Sequence, residues 1–192
     1  MRIISGAAHG RKMAAPRGLE TRPATARIRA SIFSRIASRM DLDRARVLDI
    51  FAGSGSLGIE ALSRGAGNAV FVDSARAAAN TITQNLRQLG LDKRARILMM
   101  DFRRALDEVA RETKRFDLIF VDPPFAEDSS AEVLAKLLRL DLINPHGIVT
   151  VRQYYRAAEL KVTELECVSR ATIGDHRIAL YRLPEKAAAN DL

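Results

Sequence analysis

The sequence has little that could crosslink the chain, bind a metal or enter a membrane. Its 192 residues include one cysteine, Cys167, three histidines and no tryptophan. A single cysteine cannot form an internal disulfide, and histidines with no second cysteine nearby make no metal-ligand pattern. No segment approaches the roughly 18 consecutive apolar residues of a membrane helix, and the start lacks the apolar core of a secretory signal. These absences predict a cytoplasmic protein without a metal site or a membrane partner.

Basic residues are concentrated at the start of the chain. Residues 1–45 contain ten Lys/Arg and three Asp/Glu, whereas residues 46–192 contain 21 and 20. A basic block favours a polyanionic partner, because neutralising phosphates releases their condensed counterions. The alternative is a solvated charged face. We expect nucleic acid, with contacts among five cations: Arg11, Lys12, Arg22, Arg27 and Arg29. Arg27 and Arg29 lie roughly 200° apart on an ideal helix, so one of them can serve structure instead.

The hydrophobic pattern predicts one α/β domain behind an N-terminal arm, and we expect the protein to be a monomer. Glycines and prolines in residues 1–24 indicate a hairpin or extended arm, and from Thr25 apolar residues recur at helical spacing up to Met40. We therefore divide the chain into an arm with its helix (1–44), a main domain (45–184) and a flexible tail (185–192). In the domain, strand-like runs alternate with helical stretches, which predicts a doubly wound, mostly parallel, Rossmann-like sheet. The strand-like runs are 47–51, 69–72, 97–100, 118–121 and 148–151, and two more, 160–168 and 177–183, predict an antiparallel edge hairpin.

A glycine-rich turn follows the first predicted strand. Gly53, Gly55 and Gly58 have the G-x-G-x-x-G spacing with which a backbone approaches a nucleotide cofactor. An NAD-dependent oxidoreductase would share this loop. Asp49 favours S-adenosylmethionine, because a carboxylate there suits the ammonium group of the methionyl moiety and would repel a pyrophosphate. The predicted contacts of the loop are Asp49, Phe51, Ala52, Gly53, Ser54 and Gly55.

Two further carboxylates end the next two strands. Asp73 lies 18 residues beyond Gly55, where it can accept hydrogen bonds from both ribose hydroxyls. Asp101 and Phe102 suit the amino group and ring of adenine. For Asp101 a helix N-cap is an equally good interpretation.

The fourth predicted strand ends in Asp122-Pro123-Pro124-Phe125. Two prolines stiffen the backbone and remove amide donors, so nearby carbonyls can act as acceptors. Together with Asp122, these carbonyls could hold a nucleobase amine in its pyramidal, nucleophilic geometry, while Phe125 stacks on the flipped base. The alternative is a rigid surface turn. Because the tetrapeptide shares a sheet edge with the glycine loop, we predict that Asp122, Pro123, Pro124 and Phe125 are catalytic.

At these positions the chain resembles the RsmD-type 16S ribosomal RNA guanine-N2 methyltransferases. The resemblance rests on four segments spread over nearly the whole chain: residues 2–12, residues 21–29, residues 49–66 and residues 122–125. It implies a class I methyltransferase fold, S-adenosylmethionine as the donor, and a guanine in partly assembled small ribosomal subunits as the target.

The sequence also departs from the family pattern, at Ser5, His9, Ala24, Ala26 and Ala30, and at Val151-Arg152, where an acidic residue is common. A DNA or other RNA amino methyltransferase, acting on adenine N6 or cytosine N4, remains an alternative. A non-catalytic RNA-binding protein would share the basic arm but would not need the Asp-Pro-Pro-Phe motif.

Overall fold

A seven-stranded, mostly parallel sheet forms the centre of the protein. The computed structural model describes residues 1–15, 25–112, 115–124 and 129–185. The strands are β1 (Arg46–Ile50), β2 (Asn68–Val72), β3 (Ala95–Leu98), β4 (Phe116–Val121), β5 (Ile143–Tyr154), β6 (Glu166–Ile173) and β7 (His176–Arg182). Their order is β3-β2-β1-β4-β5-β7-β6, in which β7 is antiparallel to both β5 and β6. The predicted doubly wound sheet with an antiparallel edge is confirmed.

In the part of the chain that the structure describes, five α-helices cover the two faces of the sheet. They are α1 (Ala26–Ala37), α2 (Ser56–Ser63), α3 (Arg76–Leu89), α4 (Phe102–Glu112) and α5 (Ser130–Arg139). Helices α1, α2 and α3 contribute to one apolar core, and α4 and α5 contribute to the other. The amphipathic helix predicted from Thr25 is confirmed: Ile28, Ile32 and Ile36 are buried, and Thr25 caps the helix through the Ile28 amide. The helix ends at Ala37, before the Met40 that the spacing had included. No helix in the described ranges is long and apolar enough to span a bilayer.

The first strand of the edge hairpin lies further along the chain than the sequence predicts. Its first strand was expected over 160–168, but β6 begins at Glu166 and reaches Ile173. The turn explains the shift: Gly174, in the left-handed region at φ 55°, and Asp175 connect β6 directly to β7. A two-residue turn fixes where the two strands of a hairpin pair, so the strand ends at this turn rather than with the apolar run at 160–168.

The N-terminal segment packs against α2 and α3. An antiparallel bridge joins Arg2 to Lys12, and Ile3 and Met13 are buried. Residues 1–15 therefore form a hairpin. The Glu60 carboxylate of α2 is fully buried and accepts hydrogen bonds from the amides of Ile4 (2.8 Å) and Ser5 (3.0 Å). The hairpin is therefore attached by directional bonds as well as apolar contact, while the expected boundary at residue 45 stays a prediction.

A buried amide connects the end of this segment to the glycine loop. The Asn85 side chain, on α3, accepts from the Ala14 amide at 2.7 Å and donates to the Ala14 carbonyl at 3.1 Å and the Ser54 carbonyl at 3.0 Å. Residues 16–24 lie outside the described ranges, as does almost all of the expected tail. The end of the first described range is thus held close to the loop after β1.

Candidate active site

Four carboxylates meet at the carboxyl edge of the sheet. Asp49 lies within β1, whereas Asp73 and Asp122 directly follow β2 and β4, and Asp101 lies between β3 and α4. Parallel pairing of these four strands brings their ends to the same edge. This is where open α/β sheets bind ligands. The sequence predicts Asp49 within the first strand and the other three at strand ends, and the topology brings the four together.

The loop between β1 and α2 has the tight conformation that its glycines permit. Phe51, Gly53 and Gly55 all have positive φ, at 61°, 56° and 74°. For the glycines this region is nearly free, whereas for Phe51 it carries strain. The Phe51 ring packs on the Phe102 ring with centroids 5.3 Å apart. Contact with α4 thus holds Phe51 in a conformation that it would not adopt alone.

Asp49 is a buried carboxylate whose hydrogen-bond donor is a neutral amide. It is 1% exposed, and its Oδ2 accepts a hydrogen bond from the Gly58 amide at 2.9 Å. Burial raises the pKa of Asp49 well above its ordinary value; the Gly58 hydrogen bond opposes this rise, and the charges of Asp122 and Asp73 add to it. Gly58 is needed here because a Cβ would lie 2.4 Å from the Phe71 ring. A cationic ligand such as an ammonium group fits this position, whereas a pyrophosphate does not.

Asp73 shapes the loop and keeps capacity for a ligand. Its Oδ2 accepts from the Gly53 amide at 2.8 Å, and its Oδ1 accepts from the Ala75 amide at 2.9 Å. A carboxylate offers about four acceptor sites, so each oxygen can accept one more hydrogen bond. Two adjacent hydroxyls, as on a ribose, match that arrangement.

Asp101 caps helix α4. Its Oδ1 accepts from the Arg103 amide at 2.9 Å, and its Oδ2 lies 3.2 Å from the Arg103 guanidinium. The N-cap interpretation is therefore confirmed, and the adenine contact stays a prediction. Phe102 is buried and supports Phe51, so its chief contacts are within the protein.

Asp122 forms an ion pair that the sequence does not predict. Both of its carboxylate oxygens accept from the Arg152 guanidinium, Oδ1 from Nε and Oδ2 from Nη2 at 2.8 Å. Arg152 lies on β5, and the sequence marked it only as a departure from the family pattern. Pro123 is buried and Pro124 is exposed. Phe125 lies outside the described residues, and its stacking role stays a prediction.

The five expected phosphate contacts have different environments. Lys12 and Arg27 are exposed. Arg11 donates to the Gln88 carbonyl and, at 3.2 Å, to the Leu89 carbonyl, so it caps the end of α3. Arg22 lies outside the described ranges.

Arg29 must be removed from the set of expected phosphate contacts. It is 1% exposed and donates to the Arg2 carbonyl at 2.7 Å. Burial lowers the pKa of its guanidinium, and the Glu60 charge opposes this effect. The helix directs position 29 into the core, while Arg27, on the other side of α1, faces solvent.

The sheet has a glycine loop after β1, a carboxylate after β2, Asp-Pro-Pro after β4, and β7 antiparallel between β5 and β6. These features define the class I S-adenosylmethionine-dependent methyltransferases. Comparison with known proteins supports the same class. A solved structure described as a putative methyltransferase from Escherichia coli superposes with a TM-score of 0.83 at 30% identity, over 96% of this chain and 98% of that one. The chain belongs to the family described as Conserved hypothetical protein 95, whose model matches residues 1–182.

Two relatives have names that state a substrate. The putative rRNA methyltransferase YlbH of Bacillus subtilis is 38% identical over 184 residues, which cover 95% of this chain and 98% of the relative. Ribosomal RNA small subunit methyltransferase D of Escherichia coli is 38% identical over 125 residues, 65% of this chain and 60% of the relative. The resemblance stated from the sequence, the enzyme class and S-adenosylmethionine as cofactor are confirmed.

Proposed function

We propose that this protein transfers the methyl group of S-adenosylmethionine to the exocyclic N2 amine of a guanine in 16S ribosomal RNA. The observation that carries the proposal is the position of Asp122-Pro123-Pro124 at the same sheet edge as Asp49 and Asp73. A donor site and an acceptor site for a nucleobase amine would thereby be adjacent. The names of the two relatives support ribosomal RNA as the substrate.

The chain offers a partner for each part of the cofactor. The Asp49 carboxylate would balance the methionyl ammonium, and the remaining acceptor sites of Asp73 would bind the ribose hydroxyls. Asp101 and Phe102 border the adenine position. The loop residues Phe51, Ala52, Gly53, Ser54 and Gly55 would line the cofactor with backbone. When bound, S-adenosylmethionine supplies an electrophilic methyl group, and the protein supplies the positioning.

The target amine needs acceptors more than it needs a base. Its lone pair is delocalised into the ring, and acceptors on its N–H groups favour the pyramidal geometry that frees the lone pair. Asp122 and the carbonyl of Pro123 or Pro124 would provide them. They would also hold the nitrogen in line with the methyl–sulfur bond, so positioning and electrostatics supply most of the acceleration. The methylated amine is strongly acidic, so its proton can leave to water.

RNA would approach from the side where α1 begins. The Met1 sulfur lies 3.5 Å from Arg29 Nη1 and 3.9 Å from Ser54 Oγ, which brings the start of α1 close to the glycine loop. Lys12 and Arg27, both exposed, and Arg22 are the proposed phosphate contacts. The substrate would be a partly assembled small subunit, and the enzyme would act as a monomer in the cytoplasm.

The test is methyl transfer from labelled S-adenosylmethionine to 16S RNA, naked and in small subunits, followed by mass spectrometry of the nucleosides. N2-methylguanosine supports the proposal. N6-methyladenosine or N4-methylcytidine would overturn the base assignment, and transfer to DNA alone would overturn the RNA assignment.

Variants of Asp122 test its role in the same assay. Asp122→Ala should lower the single-turnover rate about 10²- to 10³-fold, while cofactor affinity barely changes. Asp122→Asn keeps an acceptor oxygen and should retain more activity. Asp43→Ala is the control, because the Asp43 side chain is 72% exposed and precedes β1 at the opposite edge of the sheet. Equal losses in the two Asp122 variants would contradict an acceptor role.

A further inference from the structure

The ion pair between Arg152 and Asp122 is shielded from water and connects two neighbouring strands. The side chains of Arg152 and Asp122 are 9% and 13% exposed. Val121 and Val151 are partners in the parallel register of β4 and β5, so the residues after them are adjacent. The guanidinium donates to both carboxylate oxygens. This fork fixes the plane of the carboxylate as well as its position.

Stability alone does not explain such a pair. Taking two charges out of water costs free energy that their attraction repays only partly, and apolar replacements of buried pairs are often neutral or stabilising. The pair also lies among like charges, because Asp49 is close enough to Asp122 and Asp73 for both to raise its pKa. Arg152 is the cation that holds one of these carboxylates in a defined orientation.

His176 supports the guanidinium from its other side. Arg152 Nη1 lies 3.4 Å from His176 Nδ1, at the start of β7. Burial, followed by the Arg152 charge, lowers the pKa of His176, while Asp122 and Asp175 oppose the change. A neutral imidazole can accept a hydrogen bond from the guanidinium through Nδ1. Three strands therefore contribute to the orientation of one carboxylate.

We propose that Arg152 is a positioning residue, which holds the Asp122 carboxylate in the orientation that accepts the target amine. The inference rests on the proposed function of Asp122. The fork occupies one acceptor site on each oxygen and leaves one on each for the amine. Lysine would keep the charge but not the fork, so orientation is separable from charge.

The experiment is a double-mutant cycle on single-turnover methyl transfer to RNA. Arg152→Lys should lower the rate about 10- to 100-fold, the scale of a misplaced catalytic group. The Michaelis constant for RNA and the affinity for S-adenosylmethionine should change less than about twofold. In an Asp122→Asn background the same substitution should cost less than about twofold, because the residue acts through that carboxylate. Arg96→Lys is the control, since Arg96 pairs with Glu108 and Glu112, away from the site.

Each other outcome would overturn the inference. A higher Michaelis constant with an unchanged rate would make Arg152 an RNA contact. Equal losses in both backgrounds, or a loss that follows a lower melting temperature, would make it structural. The readout counts total labelled methyl, so the cycle does not depend on which base is modified. A wild-type enzyme that transfers no methyl group to RNA would refute the proposed function, and this inference with it.

Discussion

Replacing the buried carboxylate of Glu60 should loosen the N-terminal hairpin from the rest of the protein. Glu60 Oε2 accepts from the Ile4 amide, and Oε1 accepts from the Ser5 amide and from Arg64 Nε at 2.9 Å. The Glu60 side chain is fully buried and that of Arg64 is 19% exposed. Glu60→Ala removes all three acceptor interactions at once. It leaves two amides and a guanidinium without the partner that they have in the native protein.

The loss of folding stability can be estimated from these three lost interactions. An orphaned buried donor costs about 1–3 kcal/mol, and breaking a buried charge pair about 3–5 kcal/mol. Because the three donors share one carboxylate, we expect about 3–5 kcal/mol in total for Glu60→Ala, which lowers the melting temperature by about 6–20 °C in a chain of this size. Glu60→Gln keeps one acceptor oxygen but points an NH₂ group at a donor, so it should cost about 1–3 kcal/mol.

Urea unfolding of the two variants measures these values, with hydrogen exchange at Ile4 and Ser5 as a local probe. Glu108→Ala is the matched control, since Glu108 pairs with Arg96 through a side chain that is 35% exposed. It should cost no more than about 1 kcal/mol. If Glu60→Ala costs no more than Glu108→Ala, or if the two amides keep their protection, the hairpin is held by apolar packing and the reasoning is wrong.

Three further predictions concern the site. Asp73→Ala should weaken S-adenosylmethionine binding by about 1.5–3 kcal/mol, and calorimetry showing unchanged affinity in a folded variant would contradict the ribose assignment. Asp49→Asn keeps an acceptor for the Gly58 amide. Because the pKa of Asp49 is raised in the folded protein, the wild type loses stability as pH rises above the ordinary pKa of 3.8. In urea unfolding, the free energy of unfolding of the variant relative to that of the wild type should therefore increase with pH. The variant should also bind S-adenosylmethionine more weakly. A difference in stability that does not change with pH would contradict this prediction. Replacing Lys12 and Arg27 by alanine should reduce the salt slope of RNA binding by about 0.7–0.9 for each cation that neutralises a phosphate, and an unchanged slope would remove them from the interface.

Much of the fold was predictable because local patterns and the sheet topology agree. The burial of Ile28, Ile32 and Ile36 follows from their spacing in a single helix. The carboxylates at strand ends could be placed together because parallel strands that alternate with helices end at one edge. Neither inference requires knowing which residues distant in sequence are in contact.

The ion pair of Asp122 could not be predicted in this way. It requires the register of β4 against β5, including an irregularity between Phe116 and Leu118, across 30 positions of sequence. The choice between Arg27 and Arg29 was similarly open, because helical spacing separates the two residues without saying which side faces the core. The packing of Met1 and Arg2 against α1 decides it, and that packing is tertiary.

The arginines that bind carbonyl oxygens are expected to affect the rate of RNA association. Arg2 donates to the Gly10 carbonyl and Arg11 to the carbonyls that end α3, while Arg29 is enclosed by the N-terminal hairpin. A carbonyl is neutral, so these guanidiniums keep their charge but are held in place. Fixed charges away from a binding surface attract a polyanion over roughly a Debye length, about 8–10 Å, without forming bonds to it. We therefore expect these arginines to raise the rate at which RNA associates, in a way that salt suppresses, and the exposed cations that contact phosphate to slow its dissociation.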